Sequence, residues 1–292
     1  MNGILNVYKN KGKSSFDVVW KVKKLAHEKK VGHTGTLDPE AEGVLPVCIG
    51  KATKIIDYIM TSDKEYKVKC LIGVETDTYD LEGKVIKREN TDNLTENDVK
   101  EALISFTGEY DQIPPMYSAL KQNGVRLYEL ARKGIEVERK PRKVKILSIK
   151  DIVLDLPYLS FTVECSKGTY IRSLCHDIGE KLGLGAVMTD LERTRTSVFN
   201  KCDSVNIDDL TEENIEKYII KIDDALKMYP AVIINEGFSK LLKNGVRVYD
   251  KRISYMKIEN DVLYRVYDAD KNFIGLGKKN DKGFKIEKLL LL

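Results

Sequence analysis

The chain has 292 residues, 49 Lys and Arg against 45 Asp and Glu, with 42% hydrophobic and 32% charged positions, long enough to bury one or two cores. Its 7 Pro and 20 Gly exclude collagen-like, low-complexity and wholly disordered chains. No run approaches the roughly 18 apolar residues of a membrane-spanning helix, and the start MNGILNVYKNKGKSS lacks the apolar core of a secretory signal; the expectation is a soluble, cytoplasmic protein that meets no membrane.

Cys48, Cys70, Cys165, Cys175 and Cys202 are scattered and never form C-x-x-C, and His27, His33 and His176 show no ligand spacing. Neither a metal site nor a disulfide frame is expected. Charge is zoned. Residues 1–70 carry 13 basic and 8 acidic side chains, residues 71–116 carry 4 and 11, residues 117–145 carry 9 and 3, and residues 231–292 carry 13 and 8. Three basic zones separated by acidic stretches suit either several contacts with a polyanion or a solvated lysine-rich surface.

Along the chain, SSFDVVWKVKKLAHEKK sets Phe16, Val19, Val22, Lys23 and Ala26 near one helical face, with Ser14 or Ser15 as cap and Asp17 in the first turn. Three Gly and two Pro in GHTGTLDPEAEGVLP break regular structure and predict an ordered loop that leads into a short buried strand at Val44 to Ile49. Tyr66, Val68, Cys70 and Ile72 alternate as a strand, followed by a Gly-containing turn and a second strand at Val85 and Ile86. TENDVKEAL opens with a capping signal, and IPPM makes a rigid turn. The segment 117–145 reads as an exposed basic arm with a short helix from Leu127 to Lys133, ended by Gly134. Sheet follows at Val144/Ile146, Ile152/Leu154 and Phe161/Val163, then a helix through Ile171, Leu174, Cys175, Ile178 and Leu182, stopped by Gly183. The acidic stretch NIDDLTEENIEKYIIKIDDAL predicts one more helix, and residues 231–292 read as a small β unit of short alternating runs.

Asp38 lies in GHTGTLDP, where the residue before proline is pushed out of the helical region; taken alone, such an Asp-Pro is an ordinary turn. That string, with SDKEYKV at 62–68, PPMYSALKQNG at 114–124 and CSKGTYIRSL at 165–174, resembles the TruB family of tRNA pseudouridine-55 synthases, in the family's order and over essentially the whole chain. One departure is YKNKGKSS, in which Tyr8 and Asn10 stand where the family usually has Asp and Pro.

The resemblance implies an α+β pseudouridine synthase fold with a mixed, mainly antiparallel sheet and flanking helices. It sets a catalytic domain at residues 1–230, with an RNA-binding arm at about 117–145, and a small β-barrel RNA-binding domain of the PUA type at 231–292. It implies isomerisation of uridine 55 in the T-loop of tRNA, with Asp38 as nucleophile on C1′ or C6 of a flipped nucleotide. Arg172 pairs with that carboxylate, a guanidinium holding both charge and orientation. Tyr66 stacks on the uracil or takes a proton, and His33, Tyr170 and Leu191 contact the nucleotide and its surroundings. Lys9, Lys121, Arg126 and Arg132 meet RNA. Without the resemblance, Arg172 would read as a solvent-facing arginine and Tyr66, Tyr170 and Leu191 as strand or core residues.

Pseudouridine formation cuts the bond from C1′ to N1 and remakes it to C5. Nothing enters and nothing leaves, so one carboxylate suffices where glycosidases use two, and no cofactor is implied. The resemblance implies the T-arm of tRNA as the partner, and a monomer with no obligate protein partner. Two other readings use the same residues: an RNA-binding folding helper, and hydrolysis of a nucleosidic bond with release of uracil.

Overall fold

Strand Gly3–Lys9 is buried along almost its whole length, its Ile4, Leu5 and Val7 apolar as a strand covered on both faces requires and its Asn6 and Lys9 buried polar groups. The structure, a computed structural model describing residues Met1–Leu290, places it at the centre of the first of two compact units. That unit comprises Met1–Pro39, Gly43–Thr61 and Ser197–Leu292. Strand Glu42–Ile49 runs antiparallel to it with Val7 opposite Leu45, Val205–Asn206 adds in parallel, and Ile219–Ile220 adds antiparallel. Val31–His33 pairs with the far side of Glu42–Ile49, His33 opposite Val47. The sheet is therefore mixed.

Helix Ser15–Leu25 begins at Ser14, whose side chain accepts from the Asp17 backbone N–H while Asp17 accepts in return, the reciprocal cap that four orphan donors call for. Its buried face is Ser15, Val18, Val19 and Val22. Phe16, expected on that face, is 71% exposed and Trp20 is 60% exposed: Val18 and Val19 turn the apolar stripe away from both rings.

The acidic stretch expected as a helix is instead three short 3-10 turns, Ile207–Asp209, Ile215–Tyr218 and Asp224–Leu226, around strand Ile219–Ile220. Asn214 accepts from the Thr211 N–H and donates to the Asp209 carbonyl, a local bonding that competes with helix. The β-branched pair Ile219–Ile220 takes a sheet edge.

Residues 231–290 form a four-stranded sheet in the order Ala231–Ile233, Leu263–Tyr267, Phe273–Asn280, Gly283–Leu289, the first pair parallel and the others antiparallel. The barrel expected here does not close. Ala231–Ile233 is three residues long and pairs only with Leu263–Tyr267, and helix Glu236–Lys243 covers a face of the sheet through Phe238 and Leu242. Phe273, Leu276 and Leu290 share a buried cluster with Ile4, Val44 and Cys48, so the division by packing runs elsewhere than at residue 230.

The second unit is Glu40–Glu42 with Ser62–Thr196. Its sheet runs Ala186–Thr196, Lys64–Ile72, Tyr158–Cys165, Arg142–Asp155, Gly108–Gln112, every neighbour antiparallel. Tyr66, Val68, Cys70 and Ile72 point inward as the period-2 pattern requires. Helix Ile171–Lys181 buries Ile171, Leu174, Cys175 and Ile178, and Gly183, at φ 74°, ends it in the left-handed region. No helix among the described residues is long and apolar enough to cross a membrane.

Cys48, Cys70, Cys165 and Cys175 are buried and Cys202 is exposed, and burial pushes the thiols of Cys48 and Cys165 up to about 12. A thiol reagent applied to the folded protein at about pH 8 should therefore label Cys202 alone, the other four cysteines reacting only after denaturation. Rapid modification of a second cysteine in the native protein would contradict this packing.

Candidate active site

In the first unit the loop bearing Asp38 is clamped on both sides of that residue. Ser15, buried at the start of its helix, accepts from the Leu37 N–H at 2.9 Å and donates to the Leu37 carbonyl at 3.0 Å. Beyond Asp38, the Pro39 carbonyl accepts from the Gly12 N–H at 3.0 Å and from the Lys9 ammonium at 3.0 Å. Gly12 lies at φ 77°, which a glycine adopts without strain. Asp38 itself is half-buried. His33 accepts at Nδ1 from the Gly35 N–H at 3.2 Å, which puts the proton of a neutral ring on Nε2.

Lys9, expected to meet RNA, is 0% exposed. Its ammonium donates to the carbonyls of Asn10, Lys13 and Pro39 at 3.1, 2.6 and 3.0 Å. A buried cation is tolerable only when so satisfied, and the side chain is consumed in shaping this loop. Asn10, at one of the positions that depart from the family pattern, exchanges amide hydrogen bonds with Asn206 at 3.0 Å in both directions and donates to Asp208 at 2.7 Å. Side-chain bonds hold the turn where the family has a proline ring.

In the second unit Tyr66 is 7% exposed, between Val163 and Arg193 on the neighbouring strands. Leu191 lies opposite Val68, so Leu191 and Arg193 share a buried face with Tyr66 and Val68. Burial first, and the positive charge of Arg193 second, bring Lys64 down to about 8. Tyr170 caps helix Ile171–Lys181. Both its backbone groups are held by one side chain: Gln112 accepts from the Tyr170 N–H at 2.8 Å and donates to the Tyr170 carbonyl at 3.0 Å.

Arg172 is 7% exposed and does not face solvent. Its Nη1 donates to Asp80 Oδ2 at 3.1 Å and to the Thr78 carbonyl at 3.4 Å, and Nη2 donates to the Tyr117 carbonyl at 2.8 Å. Asp80 in turn accepts from the Thr78 hydroxyl at 2.5 Å. One guanidinium thus ties the helix to the loop at 77–80 and to the base of the basic arm. Asp80, Gln112 and Arg193 were not singled out by sequence reasoning; the signal available for Asp80 was the acidic string ETDTYD, which composition reads as solvated loop.

On the arm, Lys121, Arg126 and Arg132 are exposed. The helix is shorter than expected, Leu127–Ala131, and Tyr128 lies between two guanidinium groups, Arg126 at 5.8 Å and Arg132 at 5.4 Å from its ring. Thus Asp38, His33 and Lys9 belong to the first unit, and Tyr66, Tyr170, Arg172, Leu191 and the arm belong to the second.

One turn beyond Arg172, His176 Nε2 lies 3.3 Å from Glu75 Oε1, its Nδ1 lies 3.3 Å from Asp177 Oδ1, and the Tyr79 ring stands 4.0 Å from its own. Burial opposes charge on this ring. The Asp177 bond and the charges of Asp177, Glu75 and Glu180 override it and hold the imidazole above its ordinary value of 6.5. Glu75, His176 and Glu180 each bring one donor atom within 4.8 Å of the others.

Residues 23–171 match the TruB family pseudouridylate synthase N-terminal domain, and residues 172–227 match the tRNA pseudouridylate synthase B C-terminal domain. The chain is 57% identical over 292 residues to the tRNA pseudouridine synthase B of Clostridium perfringens strain 13, covering 100% of this chain and 99% of that one. It is 57% identical over 291 residues to the tRNA pseudouridine synthase B of Clostridium tetani, with 100% of both covered. Among solved structures it is similar to a chain of a Cbf5-Nop10-Gar1 complex, at 27% identity and a TM-score of 0.77 over 99% of this chain and 84% of that one. A chain of an H/ACA RNP bound to a substrate RNA containing 2'-deoxyuridine matches at 25% identity and a TM-score of 0.75, over 99% and 85%.

Asp80→Ala leaves the Arg172 guanidinium buried without that carboxylate, so urea denaturation should show a loss of about 3 kcal/mol; a loss below about 1 kcal/mol would mean the pair holds nothing together. The His176 interactions are fully present below pH 6.5, its ordinary value, and are lost as pH rises through the raised folded value. Wild type should therefore exceed His176→Gln in stability by more at pH 6 than at pH 8, and a pH-independent difference would exclude a charged His176.

Proposed function

Because the chain belongs to the TruB family of pseudouridine synthases, we propose that it isomerises uridine 55 in the T-loop of tRNA to pseudouridine, with Asp38 as the nucleophile. Pseudouridylation of tRNA follows from the full-length likeness to tRNA pseudouridine synthases B. What carries the finer reading is the clamp on the Asp38 loop. A nucleophile is effective when its approach is fixed beforehand, and Ser15 on Leu37 and Lys9 on Pro39 fix the backbone on each side of Asp38.

In this reading the uridine is turned out of its loop, since neither C1′ nor C5 is accessible while the base is stacked. Asp38 attacks the nucleotide and bonds to it, the glycosidic bond to N1 breaks, the uracil rotates, a bond from C1′ to C5 forms, and the bond to Asp38 breaks to return the free carboxylate. The proton at C5 is released and N1 takes one up, so atoms balance without a cofactor. Tyr66 stacks on the uracil, and Arg172 supplies the positive charge the reaction needs beside a carboxylate. His33, Tyr170 and Leu191 contact the nucleotide. Lys121, Arg126 and Arg132 bind RNA phosphates from the arm, residues 231–292 serve as a PUA-type RNA-binding module, and the enzyme works as a cytoplasmic monomer.

Incubation with tRNA carrying tritium at uracil C5 tests this, because release of label demands new bonding at that carbon. Wild type should release label from position 55. Asp38→Ala should lose at least about a thousandfold in rate while its tRNA affinity, measured by filter binding, stays within about threefold. Equal loss of affinity and rate would remove Asp38 from the chemistry. Free uracil among the products would replace isomerisation by hydrolysis.

A further inference from the structure

Helix Ser15–Leu25 leaves one face unpartnered. Phe16 and Trp20 stand one turn apart on it, 71% and 60% exposed, and large aromatic rings displayed together mark binding surfaces more often than rings exposed singly. Below Trp20 an open groove is lined by Trp20, Lys23, Lys24, His27, Glu28 and Lys29. Lys24 Nζ sits 6.0 Å from the Trp20 ring, at the outer limit of a cation–π contact, so it does not cover the ring.

The charges favour one class of occupant. Asp208 is engaged with Lys13 at 3.0 Å and Lys21 at 3.8 Å, Glu212 with His27 at 3.3 Å, and Glu28 with the N-terminal amine at 4.0 Å. Among the described residues Lys23, Lys24 and Lys29 have no carboxylate partner. Aromatic rings interleaved with uncommitted ammonium groups are how proteins hold single-stranded nucleic acid, each ring taking a base and each cation a phosphate. An apolar protein surface would need the lysines to be neutralised, and a duplex offers no exposed base face to a ring.

Position adds a second argument. Phe16 follows Ser15, the residue that clamps Leu37 next to Asp38. The row from Phe16 to Lys24 therefore starts at the loop carrying the proposed nucleophile and, at about 1.5 Å per residue, runs about 12 Å away from it.

We propose that Phe16 and Trp20, with Lys23 and Lys24, form a stacking platform for unpaired nucleotides of the RNA substrate, separate from the arm and from residues 231–292. This rests on the functional reading above and extends it to a surface not used by that chemistry.

Trp20 is the chain's one tryptophan beside 15 tyrosines, so emission excited at the red edge, where tyrosine does not absorb, reports on this face alone. The full chain is titrated with an unmodified tRNA transcript while filter binding measures occupancy independently. Trp20 emission should be quenched with the same midpoint as filter binding. By filter binding, Trp20→Ala should weaken affinity about tenfold, whereas Trp20→Phe, which keeps a ring, should recover most of it. Replacing Lys23 and Lys24 together by Ala should lower the slope of log affinity against log salt by about 1.5. Unchanged emission at saturating tRNA, with unchanged affinity of Trp20→Ala, would overturn the platform. So would an emission change that follows protein concentration without RNA, which would assign the face to a second copy of the chain. Tritium release by wild type separates the two readings: release with a silent Trp20 overturns the platform alone, while a saturable quench without release upholds the platform and overturns the proposed chemistry.

Discussion

A buried lysine ammonium that donates to three main-chain carbonyls organises the first unit. Lys9 is 0% exposed and gives its protons to the carbonyls of Asn10, Lys13 and Pro39. Removing a cation from water is costly, and the cost is offset only when its donors are met at good geometry. The three carbonyls must therefore converge, and their convergence shapes the turn after strand Gly3–Lys9 and the end of the Asp38 loop together. Ser15 does the same for Leu37 with one hydroxyl. The loop is irregular backbone with Thr36 and Pro39 exposed, yet the main chain of Leu37 and Pro39, on either side of Asp38, is hydrogen-bonded.

The second unit solves a related problem with an arginine. Arg172 is planar and offers donors in fixed directions; Asp80, the Thr78 carbonyl and the Tyr117 carbonyl receive them. Two chain segments far apart in sequence, the loop at 77–80 and the base of the arm, are thereby held to one helix. Ser173 adds a bond to the Ile113 carbonyl at 2.8 Å, and Gln112 holds both backbone groups of Tyr170. The arm's base is thus tied down by buried polar bonds, while its tip carries exposed Lys121, Arg126 and Arg132. Rigidity at the root with charge at the tip suits a segment that meets a polyanion.

Where sequence patterns failed, a competing interaction can be named. Phe16 fits a helical stripe with Val19 and Val22, but Val18 and Val19 together shift the buried face and leave it outside. The stretch after residue 206 has helical composition, yet its Ile219–Ile220 pairs with Ile4 and Leu5 of the first strand. The C-terminal strands alternate as expected, but a three-residue first strand and a covering helix leave an open sheet in place of a barrel. Lys9 reads as a surface charge because nothing local announces that the Pro39 carbonyl, 30 positions on, joins those of Asn10 and Lys13 around its ammonium. The capping boxes at Ser14 and Thr95 and the glycine stop at Gly183 are present as the sequence implies, since each depends on residues within one turn.

The family, the α+β class and the strands and helices with strong local periodicity were determined by the amino-acid sequence alone, because motif spacing, caps and alternation act over a few residues. Only the tertiary structure decided which face of helix Ser15–Leu25 is buried, which carbonyls receive Lys9, and that Asp80, Thr78 and Tyr117 surround Arg172. Those are the outcomes of pairing donors with acceptors and apolar faces with one another across 30 to more than 90 positions of chain, a choice that no local pattern encodes.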